Sequence, residues 1–314
     1  MELFIFFISI LISVSITPLI QKIFIKKNKF DAINQRSSHN VVATRTGGIV
    51  CFFVVFILSV YFYLNGEEIY DYSLLVPLST MFIVGVYDDF YNADFKLKFL
   101  MQIIVAKMLI DQGLIIDNFY GIFGIEEISR LFSQIFTVFV FLVIVNSINF
   151  IDGTDGLAIT EIIKLIITFE FIKYGSSPFW YLSIIIIGCL IPLYYFNFKR
   201  ENKVFLGDGG SLLFGTLISI YVFNFLNSNT VSFYSFNKPI LSVLILLYPM
   251  TDLLRVFIIR ISKKQSPFRP DNNHLHHILL RKNLSHWQIG FILPICFFII
   301  SLIAFLSISA FKFK

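Results

Sequence analysis

Charge is the scarcest property of this sequence. Asp, Glu, Lys and Arg make up 14% of its 314 residues, where a soluble domain carries roughly 25%, and this excludes an ordinary water-soluble globule. Cysteine is scarce as well. Cys51, Cys189 and Cys296 each sit inside an apolar run, which argues against a disulfide framework or a thiolate metal site. No Gly-Lys-Ser/Thr ending completes a phosphate-binding loop, and no HExxH pair is present. The first residues offer neither a basic stretch nor a small-residue cleavage site, so the N-terminal apolar run reads as a retained span. Neither an internal repeat nor a low-complexity tract divides the chain, and residues 1–314 read as one polytopic membrane domain. The net charge of +5 is modest, and no nucleic-acid partner is expected.

What is present is hydrophobicity: 57% of the residues are apolar and the mean hydropathy is +0.80. Runs of about 17–25 apolar residues, the length that crosses a bilayer, lie near 3–25, 47–64, 73–90, 97–113, 130–148, 156–174, 178–196, 210–226, 239–261 and 288–311. The expected fold is an all-α integral membrane bundle of about ten transmembrane helices, or eleven. Basic residues crowd into alternate connections. One holds Lys26, Lys27, Lys29, Arg36 and Arg45, the next Lys96 and Lys98, and the third Lys199, Arg200 and Lys203. The last carries Arg255, Arg260, Lys263, Lys264, Arg269, Arg281 and Lys282. The intervening connections carry Glu67, Glu68, Asp71, Asp117, Glu126 and Glu127, or only Lys238. The positive-inside rule then places the basic loops in the cytoplasm and both termini outside.

The polar clusters fall on that same side. Asn146-Ser147-Ile148-Asn149-Phe150-Ile151-Asp152-Gly153-Thr154-Asp155-Gly156 ends the fifth apolar run. Asn146 and Asn149 share a helix face at a spacing of three, and the glycines then let the backbone leave the helix with two carboxylates close by. Amides and carboxylates are costly at the edge of so long an apolar stretch. A polar cap followed by a loop is the plainer reading. Asp88 and Asp89 end the third run, Gly207-Asp208-Gly209-Gly210-Ser211 opens the eighth, and His274-Leu275-His276-His277 lies in the last basic loop. Four clusters on one membrane face point to one cytoplasmic-facing site.

Asp88, Asp89, Asp152, Asp155 and Asp208 on one face would repel each other and any phosphorylated ligand. A bound Mg²⁺, or Mn²⁺, resolves that conflict, because such ions combine one or two carboxylates with water and phosphate oxygens. Lys98, Arg45, Arg260 and Arg269 are candidates for the remaining phosphate charge, although each also serves as a positive-inside anchor. A helix beginning near Ser211 would aim its amides at an anion. The histidines lack a cysteine partner for zinc, and neutral imidazoles bonding a pyrophosphate or a sugar fit better. Together these residues suggest phosphoryl transfer to or from a lipid.

In order along the chain, these motifs resemble the polyprenyl-phosphate N-acetylhexosamine-1-phosphate transferases, glycosyltransferase family 4. The residues that match are Asp31, Asn34, Arg36, His39, Arg45, Gly47 and Gly48, then Asp88-Asp89 with Lys96, Lys98 and Gln102. The Asn146–Ala158 signature and Phe205–Ser211 follow. Ser266-Pro267-Phe268, Asp271 and the histidine motif are similar to the WecA/TagO-like branch. Two positions depart from the pattern: Asn92 stands where a third acid is frequent, and Thr44 where proline is common.

The resemblance implies transfer of a sugar 1-phosphate from a UDP-N-acetyl amino sugar to undecaprenyl phosphate, with release of UMP. This would initiate O-antigen, capsule, teichoic acid or similar glycan synthesis at the bacterial cytoplasmic (inner) membrane. It implies Mg²⁺ held by Asp208 and Asn149. Asp88, with Asp89 beside it, would deprotonate or orient the lipid phosphate. Asn146, Asp152 and Asp155 would contact uridine or the metal, Lys98 and Arg45 phosphate, and His274, His276 and His277 the pyrophosphate or sugar. The family also allows a homodimer. The rival within the family is the phospho-N-acetylmuramoyl-pentapeptide transferase of cell-wall synthesis. A transporter or lipid flippase is the rival outside it, and that class places ionisable groups at the bilayer midplane. Here the charged groups are expected at the cytoplasmic ends of spans.

Overall fold

The computed structural model describes residues 1–29, 43–122, 124–173, 175–228, 238–266 and 272–312. Asp31, Asn34, Arg36, His39, Arg269, Asp271 and the Pro267-Phe268 pair lie outside the described residues. The described residues are mainly helical: α1 (Glu2–Lys26), α2 (Gly47–Leu64), α3 (Leu75–Tyr91), α4 (Phe95–Asp111), α5 (Arg130–Ile151), α6 (Leu157–Ile172), α7 (Trp180–Asn197), α8 (Gly207–Asn227), α9 (Lys238–Ile245), α10 (Leu247–Ser262), α11 (Leu275–Arg281) and α12 (His286–Lys312). Every one of the ten expected runs is occupied by helix. Seven described helices are long and apolar enough to cross a membrane. An eighth span results if α9 and α10, bent by 76° at Leu246, are taken together. The expected spans at α4 and α6 have 17 and 16 residues.

Helix α8 is the axis of the bundle. All of its residues except Asp208, Asn224 and Asn227 are buried, as expected of a helix that is apolar or small on every face. Neighbouring helices cross it where a side chain is absent. A Cβ on Gly85 of α3 would lie 2.7 Å from the Gly209 Cα, and one on Gly48 of α2 would lie 2.8 Å from the Gly209 carbonyl carbon. A Cβ on Gly215 would lie 2.8 Å from the Val145 Cα of α5. In a membrane interior, where apolar surface gains nothing from leaving lipid, close backbone approach at small residues is what holds helices together. The same logic seats α1. Its buried stripe Ser9, Ser13, Thr17 and Gln21 faces α7, with Ser13 Oγ donating to the Cys189 carbonyl at 3.0 Å. Leu3, Phe4, Phe7 and Leu11 on the other face of α1 are exposed.

Two short strand pairs close the ends. β1 (Ala43–Thr44) runs parallel to β4 (Lys203–Val204), and the Gly47 and Gly48 amides donate to Phe205 and Leu206. This clip ties the start of α2 to the start of α8. At the opposite end of the bundle, β2 (Asn118–Ile122) and β3 (Ile125–Glu127) form an antiparallel hairpin.

Charged groups are not confined to one set of helix ends. Glu161 is fully buried within α6 and pairs with Lys164 at 2.5 Å. Glu170 accepts from Ser177 at 2.9 Å and from Ser183. Each of these carboxylates meets donors within the bundle, which is how an ionisable group survives away from water.

Candidate active site

The α3–α8 crossing brings the two aspartate motifs together. Because Gly85 lets the backbones touch, the last turn of α3 lies beside the first turn of α8. Asp89 Oδ1 then accepts from the Asp208 amide at 3.1 Å, and Oδ2 from the Gly209 amide at 2.9 Å. The Arg45 guanidinium donates to the same carboxylate at 3.2 Å. Gly207, at φ +74°, passes directly under this contact, where a Cβ would meet Asp89 Oδ2 at 2.8 Å. Here the sequence expectation is corrected. The helix begins at Gly207 rather than near Ser211, and the anion on its N-terminal amides is Asp89 of the chain itself.

Asp88 points differently. Its Oδ1 accepts from the Ala93 amide at 2.9 Å and its Oδ2 from Lys98 Nζ at 2.6 Å. Asn92 makes this geometry by ending α3 at φ +50°, a left-handed conformation that asparagine tolerates well. That is a structural reason for an amide where a third acid is frequent. Lys98 Nζ also stands 3.7 Å from Asp208 Oδ2, so it lies between the Asp88 and Asp208 carboxylates. Asp208 Oδ1 accepts from Asn149 Nδ2 at 2.6 Å, and the same nitrogen donates to Ser211 Oγ at 2.7 Å. This leaves the Asn149 amide oxygen for a cation. Asp152 completes the group, accepting from the Gly207 amide. Burial, then the neighbouring Asp208 and Asp89 charges, push its carboxyl well above the usual range, against the pull of Arg45.

Other expected residues are engaged elsewhere. Asn146 Nδ2 donates to Gln102 Oε1 at 2.9 Å, clasping α5 to α4. Asp155 faces Lys203 and, at 3.4 Å, His286 Nδ1, so it ties the turn after α5 to β4 and α12. In that turn Gly156, at φ +75°, donates to Asn197 Oδ1 at 2.6 Å. Arg260 is buried with its guanidinium over the Phe150 ring.

The histidine motif docks on the end of α5. The His274 ring lies 5.5 Å from Phe150 and stacks on His276 at 5.6 Å. His276 is buried against Gly153, where an added Cβ would come within 3.1 Å of its Cε1. Both of its ring nitrogens lack a hydrogen-bond partner. Burial, then the His277 and His274 charges, hold the His276 imidazole well below its ordinary range, so it is neutral. Asp252, absent from the sequence expectations, receives His274 Nδ1 at 2.8 Å. No local spacing signals it, since it lies 22 residues before its partner.

The donor set fits a divalent ion. Four carboxylates, Asp88, Asp89, Asp152 and Asp208, face two cations, Lys98 and Arg45, so a divalent ion would balance the group in its fully ionised form. Among the described residues no group of three or more His, Cys, Asp or Glu side chains converges to hold a metal alone. Mg²⁺ does not require one, since it keeps water and phosphate ligands.

The model of the family described as Glycosyl transferase family 4 matches residues 71–225. A Bacillus subtilis protein described as a probable undecaprenyl-phosphate N-acetylglucosaminyl 1-phosphate transferase is 32% identical over 312 residues, covering 97% of this chain and 84% of its own length. A Mycobacterium tuberculosis decaprenyl-phosphate N-acetylglucosaminephosphotransferase is 28% identical over 82% of this chain and 70% of its own. A Salmonella typhi undecaprenyl-phosphate alpha-N-acetylglucosaminyl 1-phosphate transferase is 28% identical over 86% of this chain and 74% of its own.

Proposed function

The chain belongs to glycosyl transferase family 4, and from that premise we propose that it transfers N-acetylglucosamine 1-phosphate from its UDP-sugar to undecaprenyl phosphate. UMP leaves, and undecaprenyl-pyrophosphoryl N-acetylglucosamine forms as the first lipid-linked unit of an envelope glycan. The sugar rests on the printed names of three relatives. The carrying observation is the Asp88–Lys98–Asp208–Asn149 group at the α3–α8 crossing. It sits at a bundle end beside the basic connections, which supports reading that end as the cytoplasmic face of a bacterial inner membrane.

In this reading Asp208 and the Asn149 oxygen hold Mg²⁺, which when bound neutralises charge on the pyrophosphate. Asp88 orients or deprotonates the lipid phosphate. Lys98, already between two carboxylates, moves toward phosphate as substrate arrives. Asp89 and Arg45 keep the start of α8 fixed while this happens. Asp152 lies beside Asp208, where it would meet uridine or the metal, and the histidine loop would meet the pyrophosphate or sugar. The lipid phosphate oxygen attacks the β-phosphorus, the bond to the bridging oxygen breaks, and UMP carries the electron pair away.

Purified protein with UDP-N-acetylglucosamine should release UMP only when undecaprenyl phosphate is added. Stoichiometric UMP release without lipid would replace direct transfer by a covalent enzyme intermediate. Turnover with UDP-N-acetylmuramoyl-pentapeptide alone would move the chain to the cell-wall branch.

A further inference from the structure

Asp252 on α10 is fully buried, and its carboxylate holds two successive residues of the histidine loop. Oδ2 receives His274 Nδ1 at 2.8 Å. Oδ1 accepts from the Leu275 amide at 2.8 Å and from Arg255 Nη2 at 3.3 Å. The same guanidinium donates to the Asn273 carbonyl. Asp252 and the Arg255 paired with it therefore fix the residues before, at and after His274, across a junction of two separate segments.

We propose that Asp252 is a positioning residue that sets which nitrogen of His274 meets the nucleotide sugar. This rests on the transferase reading above. A carboxylate receiving three donors only accepts, so His274 Nδ1 must carry the proton. Nε2, with its lone pair, is then the nitrogen offered to a ligand. The ring plane is set as well, held between Phe150 and His276. In that state Nε2 accepts a hydroxyl or amide N–H of the donor substrate. His276 contributes bulk and stacking, since both of its nitrogens are unpartnered in the buried interface with Gly153. The loop thus divides its work between a packed histidine and an oriented one.

The test is Asp252→Asn in protein labelled with ¹⁵N at its five histidines, with His274→Ala to assign the resonance. The amide that replaces one oxygen donates to Nδ1 and drives the proton to Nε2. His274 should therefore change from the Nδ1–H to the Nε2–H pattern. The KM for UDP-N-acetylglucosamine should rise by roughly ten-fold, the loss expected from one mismatched hydrogen bond, with the KM for undecaprenyl phosphate unchanged. Asp252→Glu, which keeps a carboxylate, should retain the Nδ1–H pattern and recover part of the affinity. It also carries the test if the asparagine variant does not fold. An unchanged tautomer in Asp252→Asn, or an equal rise in both KM values, would overturn the proposal. The ¹⁵N pattern is read without substrate, so it judges Asp252 whether or not the donor sugar is the one named.

Discussion

The Asp89 carboxylate holds the backbone amide of Asp208 at 3.1 Å, across the crossing of α3 and α8. Its other oxygen takes the Gly209 amide, so one aspartate of the pair caps the helix that carries the third. A carboxylate at a helix N-terminus is stabilised by the orphan amides and by the helix dipole. Asp88, one residue earlier, pairs instead with Lys98, which also faces Asp208. Adjacent acids therefore divide into one that shapes the site and one that faces it.

Substitution should separate them. Asp89→Ala removes the cap and is expected to cost about 1–2 kcal/mol of stability, visible as a lowered thermal unfolding temperature in detergent. Asp88→Asn should leave that temperature nearly unchanged while kcat falls by roughly 10²-fold or more, the scale of lost proton-transfer catalysis. Equal unfolding temperatures for the two variants would contradict this division.

The crossing itself is equally open to test. Gly85→Ala would put a methyl group 2.7 Å from the Gly209 Cα, and neither backbone can yield without moving Asp208. Overpacking of this kind costs about 1–3 kcal/mol. Both unfolding temperature and turnover should drop together. Wild-type turnover in Gly85→Ala would mean the helices are not pressed together as described.

Much of this was legible in the residues. Apolar runs located every long helix, because bilayer length constrains them directly. Asp88, Asp208 and Asn149 were readable as costly polar groups at run ends. What escaped was mostly tertiary. The bend at Leu246 did have a local signal, because Pro249 in the first turn of α10 cannot donate to the Ile245 carbonyl four residues back, and reading by apolar run length passed over it. Asp252 looks like one more polar residue in a helix until the loop returns to it. Asp155 stands three residues from Asp152 yet faces Lys203 and His286, because the turn at Gly156 rotates it away.

That rotation makes Asp155 a structural clamp. Asp155→Leu should destabilise the fold by about 3 kcal/mol, since Lys203, only 14% exposed, loses its counter-charge. Adding Lys203→Met should restore most of the unfolding temperature. A double variant no more stable than the single one would contradict the pairing.

Acid should loosen the histidine loop. The docked His276 ring stays neutral well below 6.5, its ordinary value, whereas a released ring takes up a proton near that pH. Above pH 6.5 both states are neutral and the difference vanishes. Below it only the released loop gains a proton, so docking weakens as pH falls. The neighbouring His274, His277 and His286 add to the effect, and Asp252 opposes it. A pH profile of kcat/KM should fall on the acid side of 6.5, and His276→Phe should flatten that limb. An identical limb in the variant would assign it to another group.

The most direct test of the central claim is a Mg²⁺ titration of UMP release from UDP-N-acetylglucosamine and undecaprenyl phosphate, with wild-type protein beside Asp208→Asn. The arrangement of Asp208, Asn149 and Asp88 predicts wild-type turnover that is abolished by chelation and restored by Mg²⁺, with the variant inactive at every concentration although folded. Full turnover of the wild type without divalent metal, or wild-type activity in Asp208→Asn, would contradict it.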